Sequence, residues 1–291
     1  MPNTKVWIAS ALTLVLLNGC GGGSSSSGTT STASAATAQG VFTDSPVQGL
    51  RYVSGKQSGY TDSKGGFTYA KGKTVSFYIG DILVGQTTGQ AIVTPVDLVS
   101  GAKDQTNPTV SNIAQFLQSL DADGNPSNGI TITSQESRLA AGASVNFKQS
   151  TTAFAGDGNV QTLVAKMTAV TSAGARGLVS ASTAQGNLQN TLLGLLAGNW
   201  SGTYGGGDSG TWSVSIDTTG NITGSGKDQT YGGFRITGTV ASSGTATFAA
   251  GGASGAQVAA SYKGSFDAKA GTGSGTWTSG CCTGTWSGSK Q

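Results

Sequence analysis

The sequence predicts a mainly β chain with a helical middle, an α+β architecture. A small antiparallel β-sandwich with packed helices comes first, and a C-terminal antiparallel β-barrel of about eight strands follows. Three observations carry this. Charged residues make up only 10% of the 291 positions and glycine fills 48 of them, a balance that favours short strands and tight turns. Apolar residues alternate with period two after residue 40 and again after residue 198. Between those regions the apolar spacing becomes helical, and the length allows two modest domains with separate cores.

The N-terminus reads as an export signal. Lys5 gives a positive start, and Val6 to Leu17 (VWIASALTLVLL) is a twelve-residue, largely apolar run. Spanning a bilayer takes about 20 apolar residues, so the run fits a signal-peptide core instead. Leu17-Asn18-Gly19-Cys20 follows and resembles the bacterial lipobox, with Asn18 larger than the residue usual at its position. The resemblance implies a bacterial lipoprotein with a signal peptide over 1–19. Cleavage before Cys20 would leave a thiol carrying diacylglycerol and an amine carrying a palmitate-type chain, and several chains anchor stably where one does not. Residues 20–39, rich in Gly, Ser and Thr, read as a flexible tether. Gly21 and Gly22 stand where an aspartate typically retains lipoproteins at the inner membrane, so the expected address is the cell envelope at the outer membrane.

Residues 40–86 alternate strand-like runs with turn signals. Gly40 to Val47 leads into Gly49 to Val53. Gly59 to Tyr69 reads as strand, turn, strand around Thr61-Asp62-Ser63-Lys64-Gly65. Val75, Phe77 and Ile79 fall on one face of a further strand. The pattern V-x-D-S-P-V-x-G-L-x-Y, then G-x-T-D-x-x-G-x-F-x-Y, then G-x-x-V-x-F-x-I-G, resembles carboxypeptidase-regulatory or transthyretin-like β-sandwich modules of bacterial surface proteins. That resemblance implies a stalk or spacer rather than a catalyst. Asp44 and Asp62 are expected to be turn residues bonding their own backbone, not acids or ligands.

Asn107 followed by Pro108 predicts a capped helix start. Val110, Ile113, Phe116, Leu117 and Leu120 then recur at helical spacing, and the preceding β unit is the nearest surface for that stripe, so 40–150 is taken as one module. Asp121-Ala122-Asp123-Gly124-Asn125 places Asp121, Asp123 and Asn125 at alternate positions, like the first half of a calcium loop. The glycine is fourth rather than sixth, and Glu136 is four residues too late for an EF-hand, so a looser Ca²⁺ site and a plain helix-ending turn both stay open. Val160 to Val170 and Ser182 to Leu196 are further helical candidates, and 151–197 is read as a helical connector.

From 198 to 291 short strands recur between Gly-rich turns with no helix signal, as a closed or nearly closed meander requires. The G-T-W unit recurs at Gly210-Thr211-Trp212, Gly275-Thr276-Trp277 and Gly284-Thr285-Trp286, with Trp200 in a related setting. It resembles avidin- and lipocalin-like barrels in architecture. Trp200, Trp212, Trp277 and Trp286 are therefore either core and end plugs or a platform for stacking a ligand. Cys281 and Cys282 are adjacent between two strands, where a strained vicinal disulfide, a metal-capturing thiol pair or no bridge at all are the alternatives.

Histidine is absent and Glu136 is the only glutamate, which removes the imidazole chemistry of hydrolytic triads and His-metal sites. No catalytic residue is assigned, and a non-enzyme is expected. No Lys/Arg cluster accompanies the net charge of +3, so nucleic acid is not an expected partner. The expected partners are the membrane, through lipid on Cys20, and an envelope protein or glycan. No cofactor is expected beyond the Ca²⁺ that the Asp121 loop raises. The expected role is structural, adhesive or binding. The alternative is a periplasmic β-barrel inhibitor or small-ligand carrier.

Overall fold

The structure, a computed structural model, describes residues 36–252 and 260–291. The leader, Cys20 and nearly all of the tether lie outside the described residues, as do Val258 and Ala259 at the start of one expected strand.

The first module is built from eight short strands: β1 (Thr37–Phe42), β2 (Val47–Gln48), β3 (Arg51–Ser54), β4 (Gln57–Tyr60), β5 (Gly66–Ala70), β6 (Thr74–Ile79), β7 (Ile82–Thr88) and β8 (Ile92–Val93). They form an antiparallel sheet in the order β4-β3-β6-β7 and a second sheet in the order β5-β1-β8. Two short joins are parallel: β8 with β1, and β2 with β9 (Ile130–Thr131). Val75, Phe77 and Ile79 of β6 are fully buried, as the alternation predicts. Phe77 meets Phe42 and Phe67 of the other sheet edge-on, with ring centroids 4.8 and 5.1 Å apart. Such aromatic pairs bind the two layers beyond the area they bury.

Five helices follow or interrupt the strands: α1 (Pro108–Ser119), α2 (Ser134–Leu139), α3 (Thr151–Ala155), α4 (Gly158–Thr168) and α5 (Ala181–Leu196). Asn107 caps α1, its side-chain oxygen accepting from the N–H groups of Thr109 and Val110. Helix α1 is buried on every side. Ile113, Phe116 and Leu117, with the adjoining Leu120, join the sandwich core together with Phe154 of α3 and Val160, Val164 and Met167 of α4. Val110 and Ala114 instead face Ala184, Leu188 and Leu192 of α5. Buried polar groups of α1 are bonded in part: Asn112 Nδ2 donates to the carbonyls of Phe147 and Gln149, while Gln115 Oε1 is left without a partner.

The second module is a closed antiparallel barrel of eight strands: β10 (Gly198–Gly206), β11 (Gly210–Ile216), β12 (Asn221–Asp228), β13 (Gly232–Val240), β14 (Thr245–Gly252), β15 (Ala260–Asp267), β16 (Thr272–Thr278) and β17 (Thr283–Lys290). Each strand pairs with the next, and β17 returns to β10. Closure removes the open edges that a low-charge sheet would expose. The inward positions carry aromatic and aliphatic residues, with glycine wherever a ring needs space. A Cβ on Gly288 would stand 2.4 Å from Cζ2 of Trp212, and one on Gly264 would stand 2.6 Å from Cζ2 of Trp286. The outward positions are exposed Ser and Thr, such as Ser213, Thr223, Thr237 and Thr276. A membrane-spanning barrel needs the opposite arrangement, an apolar outer band.

Helix α5 joins the modules. Its last turn places Leu193 and Leu196 within the barrel core. The indole N–H of Trp200 donates to Leu196 O at 2.9 Å, and Lys290 Nζ donates to Leu195 O at 2.7 Å. Beside it, Ser242 bonds Gln105 at 2.7 Å, and Lys269 pairs with Asp97. One end of the barrel is thereby plugged. The turns between β10 and β11, β12 and β13, and β16 and β17 form the opposite rim.

Candidate functional site

The described interior of the barrel is filled by aromatic and aliphatic side chains. Trp200, Trp212, Trp277 and Trp286 are at most 4% exposed, and each indole N–H donates to a backbone carbonyl: Leu196, Thr203, Gly205 and Lys263 respectively. Their rings pack with Tyr204, Phe248, Tyr262 and Phe266, including a Trp212–Trp286 edge contact at 5.7 Å and a Phe248–Tyr262 stack at 4.8 Å. Of the two roles open to the tryptophans, the structure places them as core. A stacking platform would need an accessible ring face, which none of the four offers.

The free rim is more polar. Tyr204 ends a core strand, and its hydroxyl donates to Asp228 Oδ2 at 2.6 Å. Asp228 closes β12, and its other oxygen accepts from the N–H groups of Thr230 and Tyr231. Burial raises the Asp228 carboxyl, but the Tyr204 hydroxyl and those two N–H groups outweigh it and hold the group below the usual range. Burial and the hydrogen bond to Asp228 push the Tyr204 phenol strongly upward, and burial pushes Tyr262 up to about 12. A pocket of about 440 Å³ opens here, lined by Thr203, Tyr204, Ser209, Lys227, Asp228 and Gln229. Tyr231, on the same turn, is 63% exposed. Tyr204 and Asp228 carry no sequence signature, because they are 24 positions apart and meet only through barrel pairing.

Cys281 and Cys282 lie on the same rim, in the turn between β16 and β17. Both thiols are free, Cys281 exposed and Cys282 half-buried. The bridge that adjacent cysteines permit is not formed. The neighbouring Cys282 thiol, and then the Ser279 hydroxyl, draw the Cys281 thiol below its ordinary value, while Cys281 raises Cys282.

In the first module the two aspartates read as turn residues part company. Asp62 is one: its Oδ1 accepts from Gly66 N and Lys64 N, which lower it. Asp44 is not. It is fully buried, and burial lifts it to about 7 against the one hydrogen bond from Gln118 Nε2 at 3.0 Å. Asp44 sits against α1, where Gln118 Nε2 meets its carboxyl, while the next residue, Ser45, takes φ +61° and turns the chain.

The Asp121 loop ends α1. Asp121 is buried, its Oδ1 accepting from Thr131 N at 2.9 Å. Asp123 accepts from Asn125 N at 2.9 Å and from Asn128 Nδ2 at 3.0 Å, and Asn125 Oδ1 accepts from Ser127 at 2.6 Å. Of the three residues read as ligands, the Asp121 and Asp123 carboxyls approach each other, while the Asn125 amide oxygen is taken by Ser127. Arg176, which the sequence did not flag, reaches the loop from 55 positions away and donates to Asp121 O. Among the described residues no three Asp, Glu, Cys or His side chains converge as a metal-holding group.

A cleft of about 760 Å³ separates the modules beside α5, bordered by Ile92, Asp97, Lys103, Leu195, Phe266 and Lys269. No family model, curated protein or solved structure matched the chain in comparison.

Proposed function

We propose that this chain is a lipid-anchored lipoprotein of the bacterial envelope, held at the outer membrane through Cys20, with a structural, adhesive or binding role and no catalysis. The observation that best supports a binding role is the rim of the barrel. There a buried Tyr204–Asp228 pair backs a polar pocket beside exposed Tyr231, at the end of the barrel away from α5. Aromatic residues with a polar tip are favoured at recognition surfaces, and an envelope protein or glycan suits such a rim. The module over 40–86 then serves as the spacer that its resemblance implies.

The packed barrel interior bears on the alternative, a periplasmic β-barrel inhibitor or small-ligand carrier. A carrier that encloses its ligand needs a chamber, so the inhibitor is the stronger form of that alternative. The test has two arms. Acyl labelling and membrane fractionation of the chain, against Cys20→Ser, examine the anchor; a Cys20→Ser chain that still labels and sediments with membranes overturns it. Protease treatment of intact cells examines display. Cleavage supports adhesion, and full protection turns the reading to the periplasmic alternative.

A further inference from the structure

We propose that the loop Asp121–Asn128 binds a calcium ion through the carboxylates of Asp121 and Asp123 and neighbouring backbone oxygens.

The side chain that points to a ligand is Asp121. It is 1% exposed, and while Oδ1 is bonded to Thr131 N, Oδ2 has no hydrogen-bond partner. A buried, unpaired carboxylate oxygen is costly, and native structures seldom leave one without a compensating donor or ion. The Asp121 carboxyl also lies within hydrogen-bonding reach of that of Asp123, so the two groups either share a proton or, both ionised, repel. A cation reverses the sign of that contact.

The surroundings point the same way. Glu136 on α2 is also fully buried and also keeps one unpartnered oxygen, Oε1, and its nearest electrostatic neighbours include Asp121 and Arg176. Glu136 thus adds a third acidic group within electrostatic reach of Asp121, with the Arg176 guanidinium facing them. The loop is also preformed. Ala122 bonds Thr131 and Ala173 across it, and Gly124 takes φ +76°, a conformation that a side chain there would strain. The acceptors around Asp121 Oδ2 are oxygens, the Asp123 carboxylate and backbone carbonyls, with the Asn125 amide oxygen now held by Ser127 and Asn128 turning its Nδ2 to Asp123. Carboxylate and carbonyl oxygens are the donor set of Ca²⁺, which accepts irregular oxygen cages, whereas Mg²⁺ demands near-octahedral ones.

The test uses the whole chain freed of divalent ions with chelator. Calorimetric titration with CaCl₂ is expected to show one binding event, and melting is expected to rise by several degrees in CaCl₂ and to return with EGTA. Asp123 is exposed and Asn can keep its backbone bond, so Asp123→Asn should fold and bind calcium at least tenfold more weakly. An absent calcium heat, an equal response to MgCl₂, or unchanged calcium binding by Asp123→Asn overturns the proposal. None of these outcomes bears on the lipid anchor or the barrel rim.

Discussion

The hydroxyl of Tyr204 donates to Asp228 at 2.6 Å, and this one bond fastens the aromatic core of the barrel to a turn on its open rim. Tyr204 packs against Trp277, with ring centroids 5.6 Å apart, while Asp228 organises its own turn by accepting from Thr230 and Tyr231. Core packing and rim geometry therefore depend on each other. A loop that recognises a partner is better placed when its shape is fixed before contact.

Tyr204→Phe keeps the ring and removes the donor. It leaves Asp228 Oδ2 short of a partner, which costs about 1–3 kcal/mol for a buried acceptor. The sign of the pH effect follows from the lowered Asp228 carboxyl. Its stabilisation is present above the unfolded value of 3.8 and is lost as pH falls through the folded value. Urea unfolding at pH 7 should show the loss, and the acid-side transition should move to higher pH. Unchanged curves would mean that the bond contributes nothing.

Asp44 behaves in the opposite sense. Its carboxyl is lifted from 3.8 to about 7 by burial, so the folded chain holds this proton where the unfolded chain has released it. Its contribution is full below pH 3.8 and is lost as pH rises toward 7, by roughly 4 kcal/mol over about three units at 1.36 kcal/mol each. Asp44→Asn mimics the protonated group. The variant should gain stability relative to the parent as pH rises from 4 to 7 and then keep a constant lead. A lead that does not depend on pH would remove the buried-acid account.

The barrel itself was legible because most strands alternate inward apolar and outward Ser/Thr residues, and a glycine-rich turn ends most of them. Helix α1 was legible at its start, where Asn107 and Pro108 form a cap from adjacent residues. Its surroundings were not. Asn112, Gln115 and Gln118 lie outside the apolar stripe of α1, yet all three are buried and bonded. Asp44 was misread because D-S-P is a turn string, and only the long-range approach of Gln118, 74 positions on, shows what the acid faces. Arg176 joins the Asp121 loop in the same way. Local patterns reveal caps, turns and alternation, whereas side-chain pairs across modules leave no local trace.

Glycine in the barrel wall is a packing requirement at some positions and incidental at others. Gly288→Ala puts a Cβ 2.4 Å from the Trp212 ring and 2.4 Å from Ser201 O, with backbone on one side and a fixed indole on the other. Overpacking of this kind costs about 1–3 kcal/mol. Gly205→Ala meets nothing within 4 Å and should change stability by about 0.5 kcal/mol or less. Urea midpoints at constant slope should separate the two. Equal effects would show that the wall yields around Trp212.

The thiol pair on the rim sets a last expectation, for chemistry rather than stability. Cys281 is exposed and has its thiol drawn downward by Cys282 and Ser279, so it is the better nucleophile of the two. Against a small-molecule disulfide such as oxidised glutathione, the Cys281 thiolate attacks one sulfur and releases one glutathione thiol. The adjacent Cys282 then attacks the mixed disulfide at Cys281, releases the second thiol and closes the vicinal ring. Two protein thiols are oxidised and one external disulfide is reduced. The Ser279–Cys282 backbone bond, 2.8 Å long, holds the turn tight and brings the second sulfur close. In a Cys20→Ser chain, intact mass should fall by two hydrogens with no lasting adduct. With Cys282→Ala added, one glutathione should stay attached, because no resolving thiol remains. A stable adduct on both cysteines would show that the turn holds the sulfurs too far apart to close.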